Sequence, residues 1–512
     1  MIAARGAGGV RDGGSWGRGR HGAAVACLGL ALALSASATV VVTTASAAAG
    51  PLEPVIVRAL PGAGLAAAEQ AARDLGGRVG LQLPIVDGFA ARLPRAGIAA
   101  LRALHGIVSV EADAPVRLSA SGGFDAATDA GSLVTTTLGT GAQAFWRSGY
   151  TGRGVDVALI DSGVTRVDGL SAAGKVVNGP DLTQDADSPA LRSADGFGHG
   201  THMAGIIAGR DAAAVAGAYA GNSVDFVGMA PDARLVSVKV ADAQGNSDVS
   251  QVIAGIGWVV EHRTDNGLNI RILNLSFGTN STQAYALDPL AHAAEVAWRH
   301  GLVVVASAGN FGNASDGLAD PAADPYVIAA GAVDTMSTLT PADDTVAAFS
   351  NGGTSVRTPD LVAPGTHIAS LRDPGSTIDM LNGLTATVAG RFFRGSGTSQ
   401  AAAVVSGAAA LLLSQRPSAT PDQVKALLTG GAAPLGGTSR LLQGAGQLRL
   451  QPLLTAPTPA AHQTWPVSTG AGSLERSRGG WSGGGWSGGG WSGGGWSGVG
   501  WFGGGWSADV WA

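Results

Sequence analysis

Short apolar segments alternate with longer helical segments between residues 155 and 333, and this alternation restricts the fold more than any other feature. The predicted strands are 155–160, 233–240, 270–275, 302–307 and 326–333. The predicted helices are 201–209, 249–261 and 287–300, followed by one that Thr420 caps and Gly430 ends. Strands that are apolar at nearly every position must be covered on both faces. We therefore predict an α/β domain with a mostly parallel sheet and helices on both faces.

A smaller domain precedes this one. Residues 54–113 follow the order β-α-β-β-α-β, with strand segments such as 55–57 and 107–111 and an Ala-rich helical segment at 65–75. That order is compatible with an α+β, ferredoxin-like sheet that carries its helices on one side. Because this domain lies between a leader and the larger domain, we expect it to be a removable pro-segment.

The first 49 residues have the composition of an export signal. Four arginines between residues 5 and 20 precede an apolar run at 23–36, and Ala45-Ser46-Ala47 matches a cleavage site, with 35–38 as an alternative. A membrane anchor would need about 20 apolar residues, and Gly, Ser and Thr dilute this run. The single cysteine, Cys27, lies inside the leader. We therefore expect an exported protein without disulfides, a thiol nucleophile or a thiolate metal site.

The balance of charge excludes two classes of partner. Charged residues make up 13% of the chain, and the net charge is −5. Neither nucleic acid nor an acidic membrane surface is therefore expected to bind.

The C-terminal end differs in composition from the rest. Residues 456–470 are rich in Pro, Thr and Ala, and from Trp481 to Trp511 a tryptophan recurs every five residues among Gly and Ser. This period matches neither helix nor strand, so we predict a Pro/Thr linker and a flexible tail over 456–512. Two roles stay open for the tail: attachment to glycan, cell wall or another surface through aromatic stacking, and an unstructured extension.

Four short segments lie at predicted strand ends or helix starts, where open α/β sheets place their sites. They contain Asp161, His199, Asn310 and Ser399. Each is weak alone. Asp161-Ser162-Gly163 could be a turn or half of an aspartic protease site, but the chain has no second copy. His199 and His202 could bind a metal, but no further ligand pattern accompanies them. Ser399 could simply cap the apolar helix that follows it.

Jointly, the four residues have complementary chemistry. A serine hydroxyl needs a neutral imidazole to accept its proton, and the imidazole needs a carboxylate to fix its tautomer. Ser399, His199 and Asp161 supply these three groups. Asn310 and the backbone N–H of Ser399 could stabilise an oxyanion.

The segments around these residues resemble the subtilisin-like serine proteases. The segment 157–164 is similar to that family's aspartate motif, 195–205 to its histidine motif, 307–310 to its oxyanion motif and 395–402 to its serine motif. The order Asp, His, Ser is the known order of subtilisin, so it is recognised rather than derived. The resemblance spans roughly residues 54–450. Two departures are local: the family usually has Pro where Ala403 stands and often Met where Gln400 stands.

The resemblance implies a self-processed, secreted serine endopeptidase that acts on proteins or peptides. It implies an inhibitory propeptide at 50–118, a linker at 119–140 and a subtilisin-like peptidase domain at 141–455, with self-cleavage between about residues 113 and 131. The segment Ser276, Phe277 and Gly278 would pair with extended substrate. No cofactor is required for the chemistry and no metal ligand is assigned, although calcium sites are common in the family. The alternative is a non-catalytic surface-binding protein on the same scaffold.

Overall fold

The structure is a computed structural model that describes residues 51–60, 63–113, 124–315, 317–338 and 340–478. The predicted signal at 1–49 and the tryptophan repeat after residue 480 lie outside the described residues. The chain forms two compact units, residues 1–118 and 119–512. Each unit is described by itself below.

The first unit has the predicted β-α-β-β-α-β order. Its elements are β1 (Leu52–Ala59), α1 (Ala63–Asp74), β2 (Arg78–Leu83), β3 (Gly88–Pro94), α2 (Arg95–Arg102) and β4 (Ile107–Ala112). The strands form an antiparallel sheet in the order β2-β3-β1-β4. Both helices pack on this sheet and bury a small core that includes Val57, Phe89 and Leu101.

The second unit contains the remaining strands. They are β5 (Asp156–Asp161), β6 (Val176–Asp181), β7 (Arg234–Lys239), β8 (Ile270–Leu275), β9 (Val303–Ser307), β10 (Ile328–Asp334), β11 (Thr345–Val346), β12 (Leu361–Pro364), β13 (Ile368–Leu371), β14 (Thr387–Val388) and β15 (Phe392–Gly395). The main sheet has the order β11-β10-β9-β8-β5-β7-β6, with β12 beside β10. All of its pairings are parallel except β10 with β11. The predicted mostly parallel sheet is confirmed.

Helices surround this sheet. They are α3 (Leu133–Thr140), α4 (Ala142–Arg147), α5 (His199–Ala208), α6 (Val249–His262), α7 (Pro289–Arg299), α8 (Thr377–Ala386), α9 (Thr398–Gln415), α10 (Pro421–Gly430), α11 (Arg440–Gln443) and α12 (Leu474–Ser477). Short 3₁₀ turns occur at Pro84–Val86, Gln184–Asp187, Asp265–Gly267 and Gln451–Leu454. Helix α5 packs on α9, helix α6 packs on α7, and both pairs contact the sheet. Because β5 and β9 are buried at every position, both faces of the sheet are covered.

Two segments predicted as linkers make specific contacts within the second unit. In the segment 119–140, Ser132 caps α3, and Asp129 forms an ion pair with Arg394. In the segment 456–478, the backbone N–H of Ser468 donates to the buried carboxylate of Glu295 at 2.7 Å. The Ser, Gly, Thr and Pro content of these segments indicated loose chain, but hydrogen bonds to distant residues hold their backbones.

Among the described residues, none of the helices combines the length and the apolar character needed to cross a membrane. The long helix α9 is apolar because it lies inside the protein, where its residues from Thr398 to Leu413 are buried.

Candidate active site

Asp161 and His199 are hydrogen-bonded to each other. Asp161 is the last residue of β5 and His199 the first of α5. The His199 Nδ1 atom lies 2.9 Å from Asp161 Oδ1 and 3.0 Å from Oδ2, and both side chains are almost fully buried. This contact assigns the proton to Nδ1 and leaves Nε2 as the basic nitrogen of the ring.

A second buried carboxylate, Asp195, supports this pair through Ser162. The Ser162 backbone N–H donates to Asp161 Oδ1 at 2.8 Å, and its hydroxyl donates to Asp195 Oδ1 at 2.7 Å. Backbone N–H groups of Gly198 and Thr201 also donate to Asp195, at 2.7 and 2.6 Å. Burial raises the pKa of Asp195, the amide donors oppose this rise, and the charge of Asp161 adds to it. The sequence predicted no role for Asp195, although it stands four residues before His199.

Asp373 extends this acidic group. Thr165 Oγ1 donates to Asp373 Oδ2 at 2.8 Å and accepts from the Asp195 backbone N–H at 3.1 Å. Burial, followed by the nearby charge of Asp195, raises the pKa of Asp373 to about 8. No local sequence pattern indicated Asp373, because the residues it contacts lie more than 170 positions away in the chain.

Ser399 is the second residue of α9, not a helix cap. The helix begins at Thr398, and its cap position is Gly397, which has no side chain to act as a cap. The Ser399 hydroxyl donates to the backbone carbonyl of Ser276 at 2.9 Å, and the Ser276 hydroxyl donates to the carbonyl of Ser399 at 3.1 Å. The alternative that Ser399 caps its own helix is therefore wrong, because its hydroxyl donates instead to the backbone at the end of β8.

Asn310 lies next to the start of α9. Its Oδ1 atom accepts from the Thr398 backbone N–H at 2.8 Å and from the Thr398 hydroxyl at 3.0 Å. Its Nδ2 atom is buried and has no hydrogen-bond partner among the described residues. A Cβ atom added to Gly397 would lie 2.8 Å from Gln400 Oε1, 3.5 Å from this nitrogen and 3.7 Å from the Ser399 backbone nitrogen. Both N–H donors therefore lie close to Gly397, and the side chain of Gln400 lies there with them.

Thr398 orients Asn310, and sequence reasoning assigned it no role. Its hydroxyl also accepts from the Gly309 backbone N–H at 3.1 Å, so it links the segment of Asn310 to α9. The signal that could have indicated this role is its place immediately before Ser399, where a side chain can reach a neighbouring loop.

The predicted substrate segment follows β8. Ser276 contacts Ser399 as described above, and Phe277 is buried. Beyond Gly278, the chain pairs with Asp320 through two backbone hydrogen bonds of Thr279, at 2.8 and 3.0 Å. Ser276 is therefore beside Ser399, while the role of the segment in binding peptide stays a prediction.

His202 does not form a metal pair with His199. Its Nε2 atom bonds the carbonyl oxygen of Phe393 at 3.0 Å, and burial lowers its pKa to about 4. Within the described residues, no group of three or more His, Cys, Asp or Glu side chains is arranged to hold a metal ion. His202 is a packed neutral histidine that connects α5 with β15.

Comparisons with known proteins identify the family to which this chain is similar. A family model described as the subtilase family, Peptidase S8, matches residues 152–451. Serine protease AprX of Bacillus subtilis (strain 168) is 37% identical over 327 residues, which cover 62% of this chain and 71% of that protein. Subtilisin Savinase of Lederbergia lenta is 34% identical over 307 residues, which cover 60% of this chain and 92% of that protein. A crystal structure of a cold adapted subtilisin-like serine proteinase covers 59% of this chain and 90% of that chain, at 29% identity and a TM-score of 0.44.

The family model covers more than half of the chain, and the chain belongs to the subtilase family. The predicted resemblance is therefore confirmed. The prediction of a serine-type peptidase is confirmed with it, since the matched family is a peptidase family and the matched AprX is named a serine protease.

Proposed function

We propose that this chain is a secreted serine endopeptidase, in which Ser399 is the nucleophile, His199 the general base and Asp161 the group that orients His199. The observation that carries the proposal is the hydrogen bond from His199 Nδ1 to Asp161, at 2.9 Å in a buried setting. It favours the tautomer whose Nε2 atom can accept a proton.

The reaction proceeds in two halves. Ser399 Oγ attacks the peptide carbonyl while His199 Nε2 takes the hydroxyl proton, and that proton then passes to the leaving amine. Water hydrolyses the resulting acyl-enzyme by the same proton transfers in reverse. The oxyanion of each tetrahedral intermediate accepts from Asn310 Nδ2 and the Ser399 backbone N–H, the two donors that border Gly397. The segment from Ser276 to Gly278 pairs with the substrate backbone, and the reaction needs no cofactor.

Labelling with a fluorophosphonate probe tests the nucleophile. We expect the wild-type enzyme to label once, and Ser399→Ala to lose labelling and peptide hydrolysis together. Ser414→Ala is the matched control, because Ser414 lies on the same helix and its hydroxyl bonds backbone groups of Leu411 and Gly152 rather than site residues, so it should label as the wild type does. Labelling of the Ser399→Ala protein would contradict the assignment. A folded wild-type protein that never labels would favour the non-catalytic binding scaffold.

We further propose that residues 50–118 form an inhibitory propeptide, which the enzyme removes from itself. Asp129 pairs with Arg394, and the carbonyl of Gly131 accepts from the Ala369 N–H at 2.8 Å. These bonds would hinder a cut at or after Asp129, so we expect cleavage between Asp113 and Asp129.

N-terminal sequencing of the exported protein tests both the secretion and the processing. We expect the wild-type protein to begin between residues 114 and 129, and the Ser399→Ala protein to keep residues 50–118. The purified precursor of Ser399→Ala should stay intact until a trace of active enzyme is added. Processing of the purified variant at the wild-type rate would contradict self-cleavage.

A further inference from the structure

Helix α8 exposes an apolar face. Met380 and Leu381 are 72% and 77% exposed, and Leu384 is fully exposed. Positions 380, 381 and 384 share one side of a helix, because residues three and four apart are neighbours on its surface. On the opposite side, Ile378 and Ala386 are buried with Phe393. A contiguous apolar patch of this kind marks a surface that binds something.

The helix that carries this face begins against the segment that precedes the candidate base. The Thr377 backbone N–H donates to the carbonyl of Gly196, and that of Ile378 donates to the carbonyl of Phe197, each at 3.0 Å. The segment that accepts these bonds leads directly into His199. The start of α8 is therefore joined to the chain that carries the candidate base.

The described part of the chain ends against the loop that also contacts the start of α8. Arg478, its last residue, donates to Asp248 at 3.0 Å. The loop that leads to Asp248 reaches α8, because the Thr377 hydroxyl donates to the carbonyl of Ala243 at 2.7 Å. The same loop contacts the segment before His199, since a Cβ atom on Gly245 would lie 2.7 Å from the ring of Phe197. One short loop therefore separates the end of the described chain from α8.

The residues that follow Arg478 have the chemistry that matches the exposed face. Trp481 is three residues further on, within about 10 Å of extended chain, and Trp486 is within about 28 Å. No charged residue occurs from Trp481 to Ala508, and an indole ring is the largest apolar group that a chain can supply. The surface and the segment are thus both apolar, uncharged and joined by one short connection.

We propose that the face formed by Met380, Leu381 and Leu384 binds the tryptophans of the same chain's C-terminal repeat, residues 481–511. The repeat then lies beside the segment that carries His199. Its first tryptophans are held on the peptidase unit, while the later ones extend away from it. A cell-wall or glycan ligand would have to compete for the first tryptophans and could bind the later ones freely.

Cross-linking from α8 in the full chain tests this proposal. A photoreactive benzoylphenylalanine is placed at Leu384 in the Ser399→Ala background, which prevents self-digestion, and intact mass confirms that residues 479–512 are present. We expect cross-links within one chain to peptides from 479–512. Cross-links to residues 51–113, cross-links between two chains or no cross-link at all would each overturn the proposal.

Two further proteins make the result specific. With the probe kept at Leu384, the tail double variant Trp481→Ser, Trp486→Ser should give about tenfold less cross-link, the effect of losing roughly 1.4 kcal/mol of apolar contact. These substitutions lie outside the described residues, and a Tm equal to that of the unsubstituted protein would exclude misfolding as the cause of a loss. A probe at Val356, which is 88% exposed on a turn beside β10, should not cross-link to the tail. Equal yields of tail cross-links from the probes at Leu384 and Val356 would mean that the tail meets both positions by random collision. That result would also overturn the proposal.

Discussion

Asn310 is held by its oxygen, and this leaves its nitrogen available for a substrate. The Oδ1 atom accepts two hydrogen bonds from Thr398, whereas Nδ2 has no partner among the described residues. A buried amide donor without a partner is costly in a resting protein, and the oxyanion of the proposed reaction would supply that partner. Substitutions of Asn310 and of Thr398 should therefore lower activity by different amounts.

We predict that Asn310→Ala lowers kcat by about 10²–10³ with little change in KM. That range is the one known for the oxyanion donor of subtilisin itself and is not calculated from this structure. The reason is that the donor acts on charge that exists only in the transition state. Steady-state hydrolysis of a peptide substrate measures the effect, and a change confined to KM would contradict it.

Thr398→Val provides the matched variant. It removes the hydroxyl that orients Asn310 but keeps the backbone N–H that also bonds Oδ1. We expect kcat to fall by roughly tenfold, the cost of one hydrogen bond, and so by less than in Asn310→Ala. In the double variant the two losses should not add, because both act through one amide. Additive losses would mean that Thr398 acts independently.

Asp373 should make stability fall as pH rises. Burial and the charge of Asp195 raise its pKa to about 8, well above the value of about 3.9 for an unfolded chain. The contribution of Asp373 to the free energy of unfolding is therefore fully present below about pH 4. It is lost as the pH rises through about 8. We predict that Asp373→Asn, which can still accept from Thr165, gains Tm relative to the wild type progressively from pH 4 to pH 9. A difference in Tm that does not change with pH would contradict this.

At the scale of elements, helix α9 is packed too tightly to accept an extra methyl group at Gly407. A Cβ atom there would lie 2.3 Å from Met229 Cβ and 3.2 Å from the carbonyl oxygen of Ile207. We predict that Gly407→Ala lowers the free energy of unfolding by about 1–3 kcal/mol through this overpacking. Denaturant unfolding with a constant m-value would measure it.

Gly257 is the control for this prediction. It lies inside α6, and a Cβ atom there would meet no atom within 4 Å. Gly257→Ala should therefore stabilise the protein by about 0.5–1 kcal/mol, because alanine loses less backbone entropy on folding. If both substitutions shifted stability in the same direction, close packing around α9 would not be the cause.

The helices and strands that the sequence predicted share one property: their signal is local. The pattern at 155–160 corresponds to β5, and the capping box predicted from Thr420 and Gln423 is present at α10. The segments that the sequence did not predict, such as β11, β14 and α8, are short or weakly periodic. They form because the sheet and its neighbouring loops provide hydrogen-bond and packing partners. A local sequence pattern does not indicate such partners.

At the scale of the whole molecule, residues 456–478 bond to two distant parts of the second unit, helix α7 with its capping residue and the segment before β10. Ser468 N–H donates to Glu295 at 2.7 Å, the Tyr326 hydroxyl donates to the carbonyl of Trp465 at 2.7 Å, and the Ser477 hydroxyl donates to Asp288 at 2.7 Å. Glu295 and Asp288 are fully buried, so these donors help to satisfy carboxyl oxygens that water cannot reach.

We predict that a chain ending at residue 455 loses at least about 5 °C in Tm, since at about 2–4 °C per kcal/mol two or three lost buried bonds suffice. A chain ending at residue 478 should have a clearly higher Tm than the chain ending at 455, because the bonds of the segment remain. Differential scanning calorimetry of the three proteins compares them directly. Equal Tm values for the chains ending at 455 and 478 would show that the segment is only a linker.

The sequence alone determined the class of fold and the chemistry of the candidate site. Periodic apolar patterns specify strands and helices because they record which faces are buried, and the four motifs preserve residue types that one reaction needs. Only the tertiary structure decided that Thr398 orients Asn310, that Asp195 and Asp373 lie behind Asp161, and that α8, which begins against the segment before His199, exposes an apolar face. These are contacts between residues far apart in the chain, and their geometry exists only after the sheet has brought its strand ends together.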